Sequence, residues 1–154
     1  MFTCPVDPQY KIQCEYAEKN KRFAWSIDPE NGLWLPSRDR DGFGHHRGLD
    51  FSCPVGTIVR AMVDGIIIRS RFENALDSTL GSGLYIFQLV MLVGYDSWCL
   101  KYSHLKASYV SVGQKVKAGE GIAESGQSGD AISPFLHVDL MNLKKQWKNI
   151  LFDA

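Results

Sequence analysis

The sequence predicts an all-β domain, a compact antiparallel β-sandwich or barrel-like arrangement with an irregular N-terminal arm and a short C-terminal helix. Three observations carry this expectation. From Leu49 onward, short runs rich in β-branched and aromatic residues follow one another. Glycine-containing turns separate those runs at short intervals. Helical spacing is convincing only over 142–152, where Leu143, Trp147, Ile150 and Leu151 recur.

Taken in order, residues 1–44 form the arm. Pro5, Pro8, Pro29, Gly32, Pro36, Gly42 and Gly44 punctuate any regular element there. Trp25 and Trp34 either anchor this arm on the core or line a groove wall. The domain proper is 45–154. Residues 49–53 alternate as a strand, and Pro54-Val55-Gly56-Thr57 makes a turn. Residues 58–63 are strand-like and end at Asp64-Gly65, a hairpin signal. A strand restarts at Ile66, and 72–82 reads as a loop. Residues 84–93 suit a buried strand, with 98–104 returning as its partner after Gly94-Tyr95-Asp96-Ser97. Short apolar segments at 110–112, 116 and 122–125 are separated by Gly113, Gly119 and Gly121. A polar Gly/Ser loop leads to Pro134, after which 135–140 alternates again.

With 154 residues the chain fits one domain with a real core, and 45% apolar against 22% charged residues is the balance of an ordinary globular protein. Lys+Arg and Asp+Glu are both 17, so the formal net charge is zero. That argues against duplex nucleic acid or an anionic membrane as a partner. No apolar run reaches the length of a membrane-spanning helix, so no membrane insertion is expected. The N-terminus has neither a basic start nor an apolar stretch and does not read as a secretory signal. The expectation is a chain that stays in the cytoplasm, is phage-encoded or carried in a virion, or is a mature fragment of a secreted protein. Cys4, Cys14, Cys53 and Cys99 show no C-x-x-C spacing, so a cysteine zinc knuckle is not expected; a Cys4–Cys14 pair is the alternative to free thiols, which are the default reading.

Chemistry concentrates in His46-Arg47-Gly48-Leu49-Asp50, Tyr102-Ser103-His104-Leu105 and Phe135-Leu136-His137-Val138-Asp139. A catalytic zinc site needs three protein ligands of nitrogen or oxygen type and one open position. His46 and Asp50 lie four apart around Gly48, where a short bend brings both side chains to one ion, and His137 is a distant third donor. By spacing alone, an isolated H-x-x-x-D pair is more often a salt bridge, and a lone histidine on an alternating strand more often structural.

His46-Arg47-Gly48-Leu49-Asp50, continuing through Pro54-Val55-Gly56-Thr57-Ile58-Val59-Arg60-Ala61, resembles the first signature of the lysostaphin/LytM-type zinc endopeptidases. Asp64-Gly65, Tyr102-Ser103-His104-Leu105, Val112-Gly113-Gln114 and the Leu136-His137 strand match the later motifs in order, so the likeness covers about residues 44–140. It implies the duplicated hybrid motif fold, a zinc cofactor, and hydrolysis of peptide bonds in peptidoglycan cross-bridges or stems. It also implies that His46, Asp50 and His137 are zinc ligands and that His104 is a catalytic histidine. The family's second catalytic histidine, the first of its H-x-H motif, falls on Phe135, which has neither donor nor acceptor. His45 would replace it only in a bent loop, since neighbours in an extended chain face opposite ways. Asp139 shares a strand face with His137 and is a candidate partner for its ring.

The resulting expectation is a zinc metalloendopeptidase acting on peptidoglycan, slowed by Phe135. The competing reading is a catalytically degenerate member that keeps zinc and serves as a binding or structural module. A lipoyl- or phosphocarrier-like module, which the 112–121 hairpin also resembles, lacks an attachment lysine of M-K-M type.

Overall fold

The computed structural model describes residues 2–20, 25–27, 34–36, 44–144 and 146–151, with side chains of 19–45 outside that description. Fourteen strands and no helix occur among the described residues. They are β1 (Ile12–Cys14), β2 (Lys19–Asn20), β3 (Trp25–Ile27), β4 (Trp34–Pro36), β5 (Gly44–His45), β6 (Leu49–Phe51), β7 (Ile58–Arg60), β8 (Gly65–Phe72), β9 (Leu84–Val90), β10 (Trp98–Ser108), β11 (Lys115–Val116), β12 (Gly121–Ser125), β13 (Leu136–Asn142) and β14 (Trp147–Lys148). All pairings are antiparallel. The main sheet runs β1-β6-β13-β10-β9-β8-β11 and is not closed, while β12 joins β10 to β7 and β14 flanks β13. The fold is therefore all-β, as the sequence predicts.

Period-two alternation explains how one strand serves both core and cleft. On β13, Leu136, Val138 and Leu140 are fully buried in the core, and His137 and Asp139 face the other way. On β10, Leu100 and Tyr102 lie in the core, but so does Leu105, so the phase inverts between them. The inversion coincides with a register shift against β9 and with His104 at φ 64°. It is a bulge whose extra residue is left-handed, a conformation in which histidine is enriched among non-glycine residues. Beyond this point β10 pairs with β12 through Leu105↔Ser125.

A polar knot inside the core holds these layers. The Tyr102 hydroxyl accepts from Met62 N at 3.0 Å and donates to Gln88 Oε1 at 2.8 Å, and Gln88 Nε2 donates to Val63 O at 2.6 Å. The tyrosine of the Y-x-H-L motif is thus a buried structural group, and burial raises its phenol above the usual range.

Two segments pair differently from expectation. The expected C-terminal helix over 142–152 is absent among the described residues, where β14 pairs back on β13 through Met141↔Trp147. Asn142 Oδ1 accepts from the backbone N–H of Lys144 and Gln146, which favours a turn over a helix. Trp147 and Ile150 are buried, but Leu143 is 81% and Leu151 60% exposed, so no helical stripe forms. The second segment is Asp64-Gly65, which joins strands with different partners, β7 with β12 and β8 with β9, and is a corner rather than a hairpin. Trp25 and Trp34 sit on β3 and β4, but their side chains lie outside the described residues, as does that of His45.

Candidate metal centre

Cross-strand register brings the sequence-predicted residues together. His137 on β13 pairs with Asp50 on β6, and Ser103 on β10 pairs with His137. Asp50 Oδ1 is 2.7 Å from His137 Nδ1 and 3.1 Å from His46 Nε2. Gly48 makes this approach feasible, because a Cβ there would lie 2.1 Å from Val138 O. The glycine of the H-x-G-x-D motif is therefore required by close packing of its chain against β13.

Each ring is held from behind. His46 Nδ1 donates to Glu15 O at 3.0 Å, and the His46 backbone is bracketed by Ala17 N to His46 O and His46 N to Glu18 O, both 2.8 Å. His137 Nε2 donates to Asp139 Oδ2 at 2.9 Å. A carbonyl or carboxylate on the far nitrogen is the arrangement that orients ligand histidines. Burial would raise the Asp50 carboxyl, but the hydrogen bonds from His137 and His46 outweigh it and hold the group below the carboxylate range. Burial likewise opposes protonation of His137, yet Asp139 and Asp50 push it up to about 9. For Asp139, burial is again outweighed by His137. Two carboxylates converging on one imidazole thus make a buried seat for positive charge. Two nitrogens and a carboxylate oxygen form the donor set zinc takes at catalytic sites, so the residues present fit the ion.

His104 stands across a cleft of about 310 Å³ lined by His46, Asp50, His104, Phe135, His137 and Asp139 among others. Its Nδ1 is 2.8 Å from Ser128 O, an acceptor only, so Nδ1 carries the proton and Nε2 a lone pair. Burial, then the charge on His137, lowers its tendency to protonate. Phe135 packs on His104 with ring centroids 4.8 Å apart, and the His104–His137 centroids are 6.3 Å apart. The wall behind His104 depends on glycine. A Cβ on Gly129 (φ 74°) would meet Gly81 O at 2.2 Å, and one on Gly83 (φ 61°) would meet Gly129 N at 2.3 Å.

The profile of peptidase family M23 matches residues 44–149. The chain belongs to this family. Among M23 relatives, the glycyl-glycine endopeptidase ALE-1 of Staphylococcus capitis is 38% identical over 128 residues, which span 82% of this chain and 33% of that protein. The peptidoglycan DD-endopeptidase ShyA of Vibrio cholerae is 31% identical over 62% of this chain and 20% of its own length. This M23 chain therefore spans a third or less of each. The catalytic domain of lysostaphin from Staphylococcus simulans superposes with a TM-score of 0.57 at 28% identity, covering 82% of this chain and 80% of that domain. A zinc-containing peptidase from Vibrio cholerae gives 0.65 at 27% identity, over 94% of this chain and 38% of that one.

Residues that the sequence reading missed are Glu15 and Ser128, which act through backbone carbonyls and leave no side-chain signal, and Cys14. One ligand atom each of Cys14, His46 and Asp50 lie within 4.8 Å of one another, and all three residues are buried.

Proposed function

We propose that this chain is a zinc-dependent endopeptidase cleaving peptide bonds of bacterial peptidoglycan, with His46, Asp50 and His137 as metal ligands and His104 as the proton-handling residue. The observation that supports it best is the meeting of three donors from β6, its preceding turn and β13 opposite the Nε2 lone pair of His104. Relatives named as endopeptidases of peptidoglycan and of glycyl-glycine bonds support the substrate class.

Zinc, when bound, supplies a Lewis acid that polarises the scissile carbonyl. His46 and His137 present nitrogens whose direction is fixed by Glu15 O and Asp139. Asp50 contributes negative charge without needing deprotonation near neutral pH. Neutral His104 takes a proton at Nε2 and returns it to the leaving amine, while Ser128 O keeps Nδ1–H in place. Phe135 packs on the His104 ring and handles no proton.

That same Phe135 contact supports the second reading, a degenerate member that retains metal but turns nothing over. The test is release of soluble fragments from purified peptidoglycans by zinc-loaded protein, beside metal analysis of His46→Ala and His137→Ala. Turnover with loss of zinc in both variants is expected. Full zinc retention in both variants would remove the ligand assignment, and a zinc-replete chain inert on several wall types would leave the degenerate reading.

A further inference from the structure

Strand β1 lies at the end of the main sheet, where its burial pattern leaves one inward residue, Cys14, with Ile12 and Gln13 exposed. In the β1–β6 ladder Cys14 is the direct partner of Asp50, as His137 is on the opposite side in the β6–β13 ladder. Direct partners share a face only in a regular ladder, and β1 carries a register shift between Ile12 and Cys14. What puts the thiol beside the Asp50 carboxylate is the distance between their ligand atoms, within 4.8 Å, with His137 on the other side of Asp50 and His46 brought to it by the preceding turn. Tetrahedral zinc with bonds of about 2.0–2.3 Å separates its donors by roughly 3.3–3.8 Å. The ligand atoms of Cys14, His46 and Asp50, all within 4.8 Å of one another, need only a small closure to reach that spacing.

We propose that Cys14 is a fourth protein ligand of the metal held by His46, Asp50 and His137. The assignment rests on the metal reading above and deepens it. Cys14 is absent from the residues lining the cleft, so its sulfur lies on the β1 side and substrate would enter from the cleft side as an added ligand, through the expansion to five-coordination that zinc undergoes during catalysis. On binding, the S–H bond breaks, the proton passes to solvent, and the sulfur lone pair forms the bond to the ion. A buried thiolate adds a second negative charge beside Asp50, which suits a dication removed from water. It also biases the site toward zinc over hard cations such as magnesium.

The test is X-ray absorption at the zinc edge of the loaded full chain, paired with optical spectra of the cobalt-substituted protein. One sulfur neighbour at about 2.3 Å is expected, together with a thiolate-to-cobalt charge-transfer band. Both should vanish in Cys14→Ala and persist in Cys4→Ala and Cys53→Ala. Cys14→Ala should also bind metal at least about tenfold more weakly, as measured against a chelating dye. In the wild type, mass mapping of thiol alkylation should find Cys14 protected by zinc and reactive without it, a readout that needs no variant to fold. Stoichiometric metal with only nitrogen and oxygen neighbours, and equal Cys14 reactivity with and without it, would overturn the fourth ligand while leaving the three-ligand site intact. Failure of the wild type to take up zinc or cobalt would overturn the metal reading itself, and the fourth ligand with it.

Discussion

Replacing Phe135 with histidine separates a crippled enzyme from a repurposed module. Positions 135, 137 and 139 all face the cleft, where they are 6%, 9% and 4% exposed. A histidine at 135 therefore enters beside His104, whose ring is 4.8 Å from the present phenyl. One acid–base group is worth about 10²–10⁴ in rate. At 1.36 kcal/mol per tenfold, the lower bound is about 2.7 kcal/mol off the barrier. Against this stands the loss of a buried phenyl. Full burial of such a side chain contributes about 1.5–3 kcal/mol, and the imidazole keeps part of that contact, so about 1–2 kcal/mol of stability is lost. In a chain of this size that lowers the melting midpoint by roughly 2–8 °C, far from unfolding at assay temperature. Clearing of purified peptidoglycan suspensions, with metal content fixed at one zinc per chain, reads the rate, and a thermal melt reads the cost separately. Weak wild-type activity and a gain of about 10²-fold are expected. An inactive wild type with an equally inactive, folded, zinc-replete Phe135→His would refute the enzyme reading. Strong wild-type activity left flat by the change would show that a second histidine does not limit the rate.

His104→Ala should keep zinc yet lose turnover by about 10²-fold or more, and unchanged turnover would remove His104 from the mechanism. Because φ at this position is 64°, His104→Gly should be more stable than His104→Ala by about 1 kcal/mol, opposite to the usual order in strands; equal chemical denaturation midpoints would contradict a strained bulge. Tyr102→Phe removes the partner of Met62 N and of Gln88 Oε1, so a loss of about 2–3 kcal/mol and a midpoint lowered by roughly 4–12 °C are expected, with zinc content unchanged. A Tyr102→Phe melt that matches the wild type would show that water satisfies both groups. Asp139→Ala frees His137 Nε2 and should weaken zinc binding about 10–100-fold in competition with a chelating dye, whereas unaltered affinity would make Asp139 a bystander.

Much of this arrangement is legible in the residues themselves. Leu136, Val138 and Leu140 announce which way β13 faces, and alternation alone then puts His137 and Asp139 on the cleft side. The Asp139 contact follows from the same periodicity. Elements decided by long-range register are not legible. Alternation along 98–108 gives no sign that its phase inverts at His104, because a left-handed histidine looks like any other in a strand-like run. The 142–152 segment has apolar residues at helical spacing, and only the Asn142 side chain, competing for backbone N–H groups, tips it into a turn and β14. Asp64-Gly65 carries a turn signal, yet a turn signal does not name which strands will pair. Cys14 is 36 residues from Asp50 in the chain, and nothing in its local context marks it as the neighbour of that carboxylate.

Strand β1 also governs how the chain can be shortened. It pairs along β6 through Ile12↔Phe51 and Cys14↔Asp50, and Lys11 O takes the N–H of Ser52 at 3.0 Å. A fragment beginning at residue 45, where the motif-bearing part starts, strips this cover and turns β6 into a naked sheet edge. Open edges recruit other strands, and the nearest supply is a second molecule with the same edge. Such a fragment should self-associate through β6 at concentrations where the full chain does not, with the buried carboxylate of Asp50 drawn into the seam between copies.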